Sequence, residues 1–312
     1  MKLGHFQQAG ALRPVVVAQW GSQPAVTLDI AKAAAAWGNH WLQGLNMQSI
    51  IESGDRALDS LRQLIDWSAQ HQDPAWSAAL SDAQWDLPVP ARAVICAGRN
   101  FGRHKQESLD YWKTQGATGI HFEFPSAFIK MAHTLVPDQA RVARPEDVHA
   151  FDYEVEAVAV LGGPCYRVTE ENALKHVFGY TVFNDLSARE WQLKEMRNQM
   201  IMMGKNFPGF GPIGPWLVTA DEIPDPSKMR VSLRVNGRTL QDESCADMVF
   251  SFPQLIAFWS KSGLGAGDMI ASGTPEGVAL HRKPNADDFY LKPGDVVEAT
   301  VDAIGTLTTH IV

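Results

Sequence analysis

Between residues 151 and 162 the chain reads FDYEVEAVAVLG, which places carboxylates at Asp152, Glu154 and Glu156. Side chains on an extended strand alternate between faces, so the three acids share one side, while Phe151, Tyr153, Val155 and Ala157 take the other. Positions two apart on a strand lie roughly 6.5–7 Å apart at Cα. Glu154 and Glu156 are thus near enough to share one cation and ill-suited to sit together without one. The same strand runs on into apolar AVAVLG, which favours entry into a core over an exposed acidic face. An oxygen-only donor set suits Mg²⁺, Mn²⁺ or Ca²⁺ rather than zinc. A further acid, Asp185 in GYTVFNDLSARE, closes an apolar run where a helix begins, a position that suits a metal ligand and equally a plain helix N-cap. Upstream, His104 and Glu107 in GRNFGRHKQE are three residues apart. On a helical turn they share a face, and the carboxylate can orient the imidazole as a general base, although most His–Glu neighbours have no catalytic role.

Strands and a few helices must bring these groups together. From residue 91 onward short β-like runs dominate, among them ARAVICAG, SAFIKM, GYTVFND, IGPWLVT, RVSLRV and GDMIASGT, and Asn236-Gly237 marks a hairpin between RVSLRV and RTL. Helical spacing is confined to residues 170–177, 188–203 and 253–262. Met196, Met200 and Met203 fall on one helical face in this reading and are expected to pack in the core, or less simply to line a pocket. The pattern is mostly β with some α and argues for a sandwich, roll or barrel, against regular βαβ alternation. Residues 1–89 differ. A hairpin over 14–30 turns at GSQP, and helices are predicted over 31–45 and 47–70, which makes a small N-terminal α+β domain. WDLPVP at 85–90 reads as a linker to a catalytic domain over 90–312.

Several functions are excluded. GFGPIG at 209–214 matches GxGxxG literally, but Pro208, Pro212 and Pro215 prevent the helix N-terminus that a pyrophosphate needs. P-loop, HExxH and GxSxG patterns are absent from the sequence. With 27 Lys+Arg against 35 Asp+Glu, the 312-residue chain carries a net charge of −8, which disfavours nucleic acid as a partner. Three cysteines without CxxC spacing fit a reducing compartment. The opening MKLGHFQQ lacks a signal-peptide core and no apolar run reaches the roughly 18 residues of a membrane span, so a cytoplasmic protein without membrane contact is expected.

Residues 91–312 resemble the fumarylacetoacetate hydrolase family through seven motifs in order: ICAGRNFGRHKQE, DYEVEAVAVLG, GYTVFNDLSARE, GKNF…GPIGPWLVTADEI, VNGRTLQ, LGAGDMIASGTPEGVA and LKPGDVVEATVDAIGTL. The resemblance implies the family's mixed β-sandwich roll and assigns Glu154, Glu156 and Asp185 as the ligands of a divalent ion, usually Mg²⁺ or Mn²⁺. Asp152 would stand behind them. It further implies His104 and Glu107 as a water-activating pair, Lys205 as the lysine that reaches substrate oxygen or carbon, and Arg99, Lys130, Arg189, Gln192 and Thr274 as substrate-binding residues. The expected reaction is hydrolytic C–C cleavage of an acylpyruvate such as fumarylpyruvate, in the catabolism of aromatic or sugar-acid compounds. Oxaloacetate decarboxylation, 2-hydroxyhepta-2,4-diene-1,7-dioate isomerisation or 2-oxo acid hydration on the same site is the alternative, followed by a non-catalytic metal-binding role. The resemblance also suggests a homodimer, to which the apolar run MVFSFPQLIAF at 248–258 could contribute.

Overall fold

The computed structural model describes residues 1–8, 11–114 and 123–312. Its centre is a strand pair, Val155–Leu161 antiparallel to Val177–Asn184, and every residue of both strands is buried. Strands covered on both faces read as continuous apolar runs, as these do. Alternation along them divides the interior in two. Val155, Ala157, Ala159, Leu161, Tyr180 and Val182 enter one core cluster, whereas Val158, Val160, Phe178 and Phe183 enter the other.

The first cluster is shared with a second sheet of five strands, in the order Arg238–Ser244, Arg230–Val235, Val296–Val301, Gly305–Ile311 and Ala140–Val142. Asn236 and Gly237, both at positive φ, make the turn of its hairpin. The second cluster is closed by helices Ile30–Trp37, Met47–Ser53 and Asp55–Gln70. Their starts are fixed by the Asp29 side chain, which accepts from the Lys32 N–H at 3.0 Å, and by a capping box between Asn46 and Ser49. Helix Asp55–Gln70 buries Leu58, Leu61 and Leu64 on one stripe. The molecule is therefore layered helices, sheet, sheet, the mixed β-rich architecture of the resemblance. Among the described residues no helix is long and apolar enough to cross a membrane.

The first 89 residues are joined to the remainder by strand pairing. Lys2–Gln8 pairs antiparallel with Gly211–Thr219, with Leu3 opposite Leu217, and Ala11–Ala18, Val26–Asp29 and Ser77–Ala79 extend the same sheet outward. Leu3, Leu28 and Leu61 share a core cluster with Val94, Val158 and Leu217. The segment at 85–90 crosses this seam with Trp85 packed edge-on between Phe6 and Trp216, at 5.0 and 5.3 Å between ring centres.

Because Leu217 is fully buried at that seam, Leu217→Ala should cost about 2–5 kcal/mol. Six of the ten tryptophans lie before residue 90, so tryptophan emission in urea should show the same lowered midpoint as far-ultraviolet circular dichroism. Two separated transitions would mean that the N-terminal part unfolds on its own.

Candidate active site

Strand pairing fixes the acidic centre. Val155 lies opposite Asn184, and beyond that pair the Asp185 N–H donates to the Glu154 carbonyl at 2.8 Å while the Glu154 N–H donates to Asn184 Oδ1 at 3.0 Å. Two chain ends are thereby stitched so that the Glu154 and Asp185 side chains face each other. The regular strand is interrupted at 153–154, between Phe151–Asp152 and Val155–Leu161, yet Glu156 still reaches the same place. Oxygens of Glu154, Glu156 and Asp185 lie within 4.8 Å of one another, all buried. Asp185 is not an N-cap: the following helix, Arg189–Arg197, is preceded by Ala188.

Cations surround these acids. Lys205 Nζ donates to Glu154 Oε2 at 2.7 Å and Asp185 Oδ2 at 2.6 Å, and Lys130 Nζ donates to Asp185 Oδ1 and, at 2.8 Å, to the Leu186 carbonyl. Arg189 spans three partners, with Nε on Asp152 Oδ2, one terminal nitrogen on Glu154 Oε1 and the other on Gln192 Oε1, each at 2.7 Å. Burial disfavours the charge on Lys205, but Asp185 and Glu154 outweigh it and raise its pKa. On Lys130 burial prevails over Asp185 and the pKa falls. Glu154 would be raised by burial, yet Lys205 and Arg189 hold it well below the carboxylate range. Glu156 has no ion pair among the described residues and accepts from the Gly273 N–H at 3.0 Å. Burial, then the neighbouring Asp185 and Glu154, push its pKa up. Gly273 sits at φ +80, and a Cβ there would fall 2.8 Å from the Ala97 carbonyl oxygen, so glycine is required at this contact. Three converging buried carboxylates, one lacking a countercharge, fit a hard divalent cation.

The rest of the cleft is built from distant segments. It has a volume of about 760 Å³, and its walls include Arg99, His104, Glu154, Glu156, Arg189, Gln192, Lys205 and Thr274. Gln241, which closes the VNGRTLQ motif but is assigned no role there, donates to Thr274 Oγ1 at 2.9 Å and accepts from the Val155 N–H at 3.0 Å. Helix Gly102–Thr114 carries His104 and Glu107. It is pinned by Arg103 to Glu243 and Glu276, at 3.1 and 2.5 Å, and by Arg99 Nε to Ser108 Oγ at 2.9 Å. His104 Nδ1 stands 3.6 Å from Glu107 Oε2.

His281, absent from the sequence reading, lies on the far side of the same carboxylate, its Nδ1 3.5 Å from Glu107 Oε2. Asp152 places it by accepting the N–H groups of Ala279 and Leu280 at 2.8 and 3.0 Å while also holding Arg189. Nothing in the local sequence marks it, because residues 279–282 carry no periodic pattern. Burial lowers the His281 pKa, with Glu107 partly opposing.

The expectation that the methionines pack in the core fails, and the pocket alternative holds for two of them. The helix ends at Arg197, because the Glu195 carboxylate accepts the N–H groups of Met202, Met203 and Gly204 at 2.7–3.0 Å and folds the chain back on itself. Met200, Met202 and Met203 are exposed, while Met196 and Met200 line the cleft. This fold-back delivers Lys205.

A family model described as fumarylacetoacetate (FAA) hydrolase C-terminal matches residues 93–312, and the chain belongs to that family. Oxaloacetate tautomerase YisK of Bacillus subtilis is 36% identical over 267 residues, 84% of each chain. A fumarylacetoacetate hydrolase from psychrophilic Exiguobacterium antarcticum superposes with a TM-score of 0.75 at 30% identity, over 100% of this chain and 99% of that one. Maleylpyruvate hydrolase from a Sphingobium species gives a TM-score of 0.74 at 25% identity, over 100% and 99%.

Glu107 supplies a pH test. Burial would raise its pKa, but His104 and His281 beside it pull it down to about 2. A carboxylate whose folded pKa is depressed stabilises the protein fully above its unfolded value of about 4.3, and loses that contribution as pH falls toward the folded one. The melting-temperature gap between wild type and Glu107→Gln should therefore be full above about pH 5 and close as pH falls toward 2. A gap that widens on acidification would contradict the depressed value.

Proposed function

We propose that this member of the fumarylacetoacetate hydrolase family is a Mg²⁺- or Mn²⁺-dependent enzyme acting on a small 2-oxo dicarboxylate through its enol, with keto–enol tautomerisation of oxaloacetate as the favoured reaction. The observation that carries this reading is the buried trio Glu154, Glu156 and Asp185, two of which line the cleft together with His104, itself backed by Glu107. The tautomerase name of the Bacillus subtilis relative supports the choice of substrate.

Glu154, Glu156 and Asp185 would hold the divalent cation, which would supply Lewis-acid polarisation to a 2-oxo carboxylate. The residues do the rest. His104 moves the proton at substrate C3, and Glu107 holds the imidazole for that transfer. Lys205, kept protonated between Glu154 and Asp185, fixes both ligands and presents positive charge toward the enolate oxygen. Thr274 Oγ1 accepts from Gln241, so its own proton points elsewhere and can donate to a substrate carboxylate. Arg189 lines the cleft and orients Glu154 through its contact to Oε1, beside the place a substrate would take.

The apolar wall formed by Phe128, Leu193, Met196, Met200 and Ile201 favours a second reading, acylpyruvate hydrolysis, because a four-carbon diacid has no use for it. The maleylpyruvate hydrolase neighbour supports this alternative. His104 would then deprotonate a water that attacks the distal carbonyl.

EDTA-stripped protein should be offered enol oxaloacetate and fumarylpyruvate, with and without Mg²⁺ or Mn²⁺, following ultraviolet absorbance and pyruvate together. Metal-restored loss of enol oxaloacetate without pyruvate is expected for the tautomerase. Pyruvate from fumarylpyruvate identifies the hydrolase, and pyruvate from oxaloacetate a decarboxylase. Glu154→Gln should abolish the metal-dependent rate, and His104→Ala should lower it about 10²–10⁴-fold with metal content unchanged. No metal-dependent change in either substrate would overturn the reading.

A further inference from the structure

His104, Glu107 and His281 form a second converging group, made of a different donor set. Two imidazole nitrogens and a carboxylate oxygen lie within 4.8 Å of one another. Both Nδ1 atoms are buried and neither has a hydrogen-bond partner. Their side chains are only 9% and 7% exposed, and each Nδ1 is directed at Glu107 Oε2, at 3.6 and 3.5 Å. Those separations are too long for hydrogen bonds. They match another geometry: two ligands of a tetrahedral zinc, each about 2.0–2.1 Å from the metal, sit about 3.4 Å apart. The two imidazoles and the carboxylate thus converge at ion-pair distance with no hydrogen bond on either Nδ1.

We propose that His104, Glu107 and His281 form a binding site for a zinc-class divalent cation, separate from the all-oxygen centre at Glu154, Glu156 and Asp185. Two His and one Glu with a fourth position open to the cleft is a zinc donor set, whereas three carboxylates suit Mg²⁺ or Mn²⁺. The protein thus sorts cations by ligand chemistry within one cleft. A bound zinc ties helix Gly102–Thr114 to the turn Ala279–His281, two elements otherwise linked near this point by the Gly277 N–H donating to Glu107 at 3.3 Å. Resting on the functional reading above, zinc there also consumes the His104–Glu107 pair, so turnover stops.

Co²⁺ tests the site without relying on turnover. Protein saturated with Mg²⁺ should take up Co²⁺ with the intense visible absorption of tetrahedral nitrogen–oxygen coordination, and an equimolar amount of Zn²⁺ should bleach it. The band should disappear in His281→Ala and Glu107→Gln and persist in Glu154→Gln. His281→Gln, closer in volume, guards against loss of folding, which near-ultraviolet circular dichroism checks. Zn²⁺ affinity should fall in His281→Ala by more than the roughly 10–100-fold lost with a hydrogen-bond partner of a ligand. Absence of the band in wild type, or a band removed by Glu154→Gln and kept in His281→Ala, would overturn the proposal. A band in protein that shows no turnover with Mg²⁺ or Mn²⁺ alone, before any Co²⁺ or Zn²⁺ is added, would sink the functional reading and leave this site standing, and turnover with Mg²⁺ alone but no band on adding Co²⁺ would do the reverse.

Discussion

Four carboxylates, Asp152, Glu154, Glu156 and Asp185, are withdrawn from water in one place, and the rest of the site follows from the need to compensate them. Lys130, Lys205 and Arg189 answer three, and Glu156 is left with a backbone N–H. Each buried cation is immobilised by the acid it neutralises, so acids and cations fix one another's positions. An uncompensated surplus of one negative charge in a dry pocket is what makes the centre attractive to a divalent ion.

The fold meets this demand by drawing its parts from separate segments. The central strand pair supplies the acids, the edge strand Ala127–Lys130 supplies one lysine, and the fold-back after Arg197 supplies the other. Asp152 works outward as well as inward, since its oxygens organise both Arg189 and the turn that holds His281. The N-terminal strands and helices stand apart from this chemistry. The strands extend the central sheet, the helices cover one of its faces, and the described lining of the cleft comes from the other segments.

Much of this was legible in the residues. The period-two spacing of Glu154 and Glu156 and the i, i+3 spacing of His104 and Glu107 are local signals, and local signals survive folding because backbone geometry enforces them. His281 left none, for its place depends on Asp152 gripping two amides across the fold. The methionines misled because their spacing is helical, while Glu195 competes for the N–H groups that would have continued the helix. The hairpin and helices of the first 89 residues were visible, but not the pairing of Leu3 with Leu217, because a strand's own residues do not name a partner some two hundred positions away.

Glu154 is gripped on one oxygen by Arg189 and on the other by Lys205. The two cations stand on neighbouring stretches of chain, and Glu195 clamps the helix bearing the first to the turn bearing the second. Both jaws are thus mounted on a single lever. A substitution that breaks the Glu195 clamp would therefore disturb the support of both oxygens of Glu154 at once.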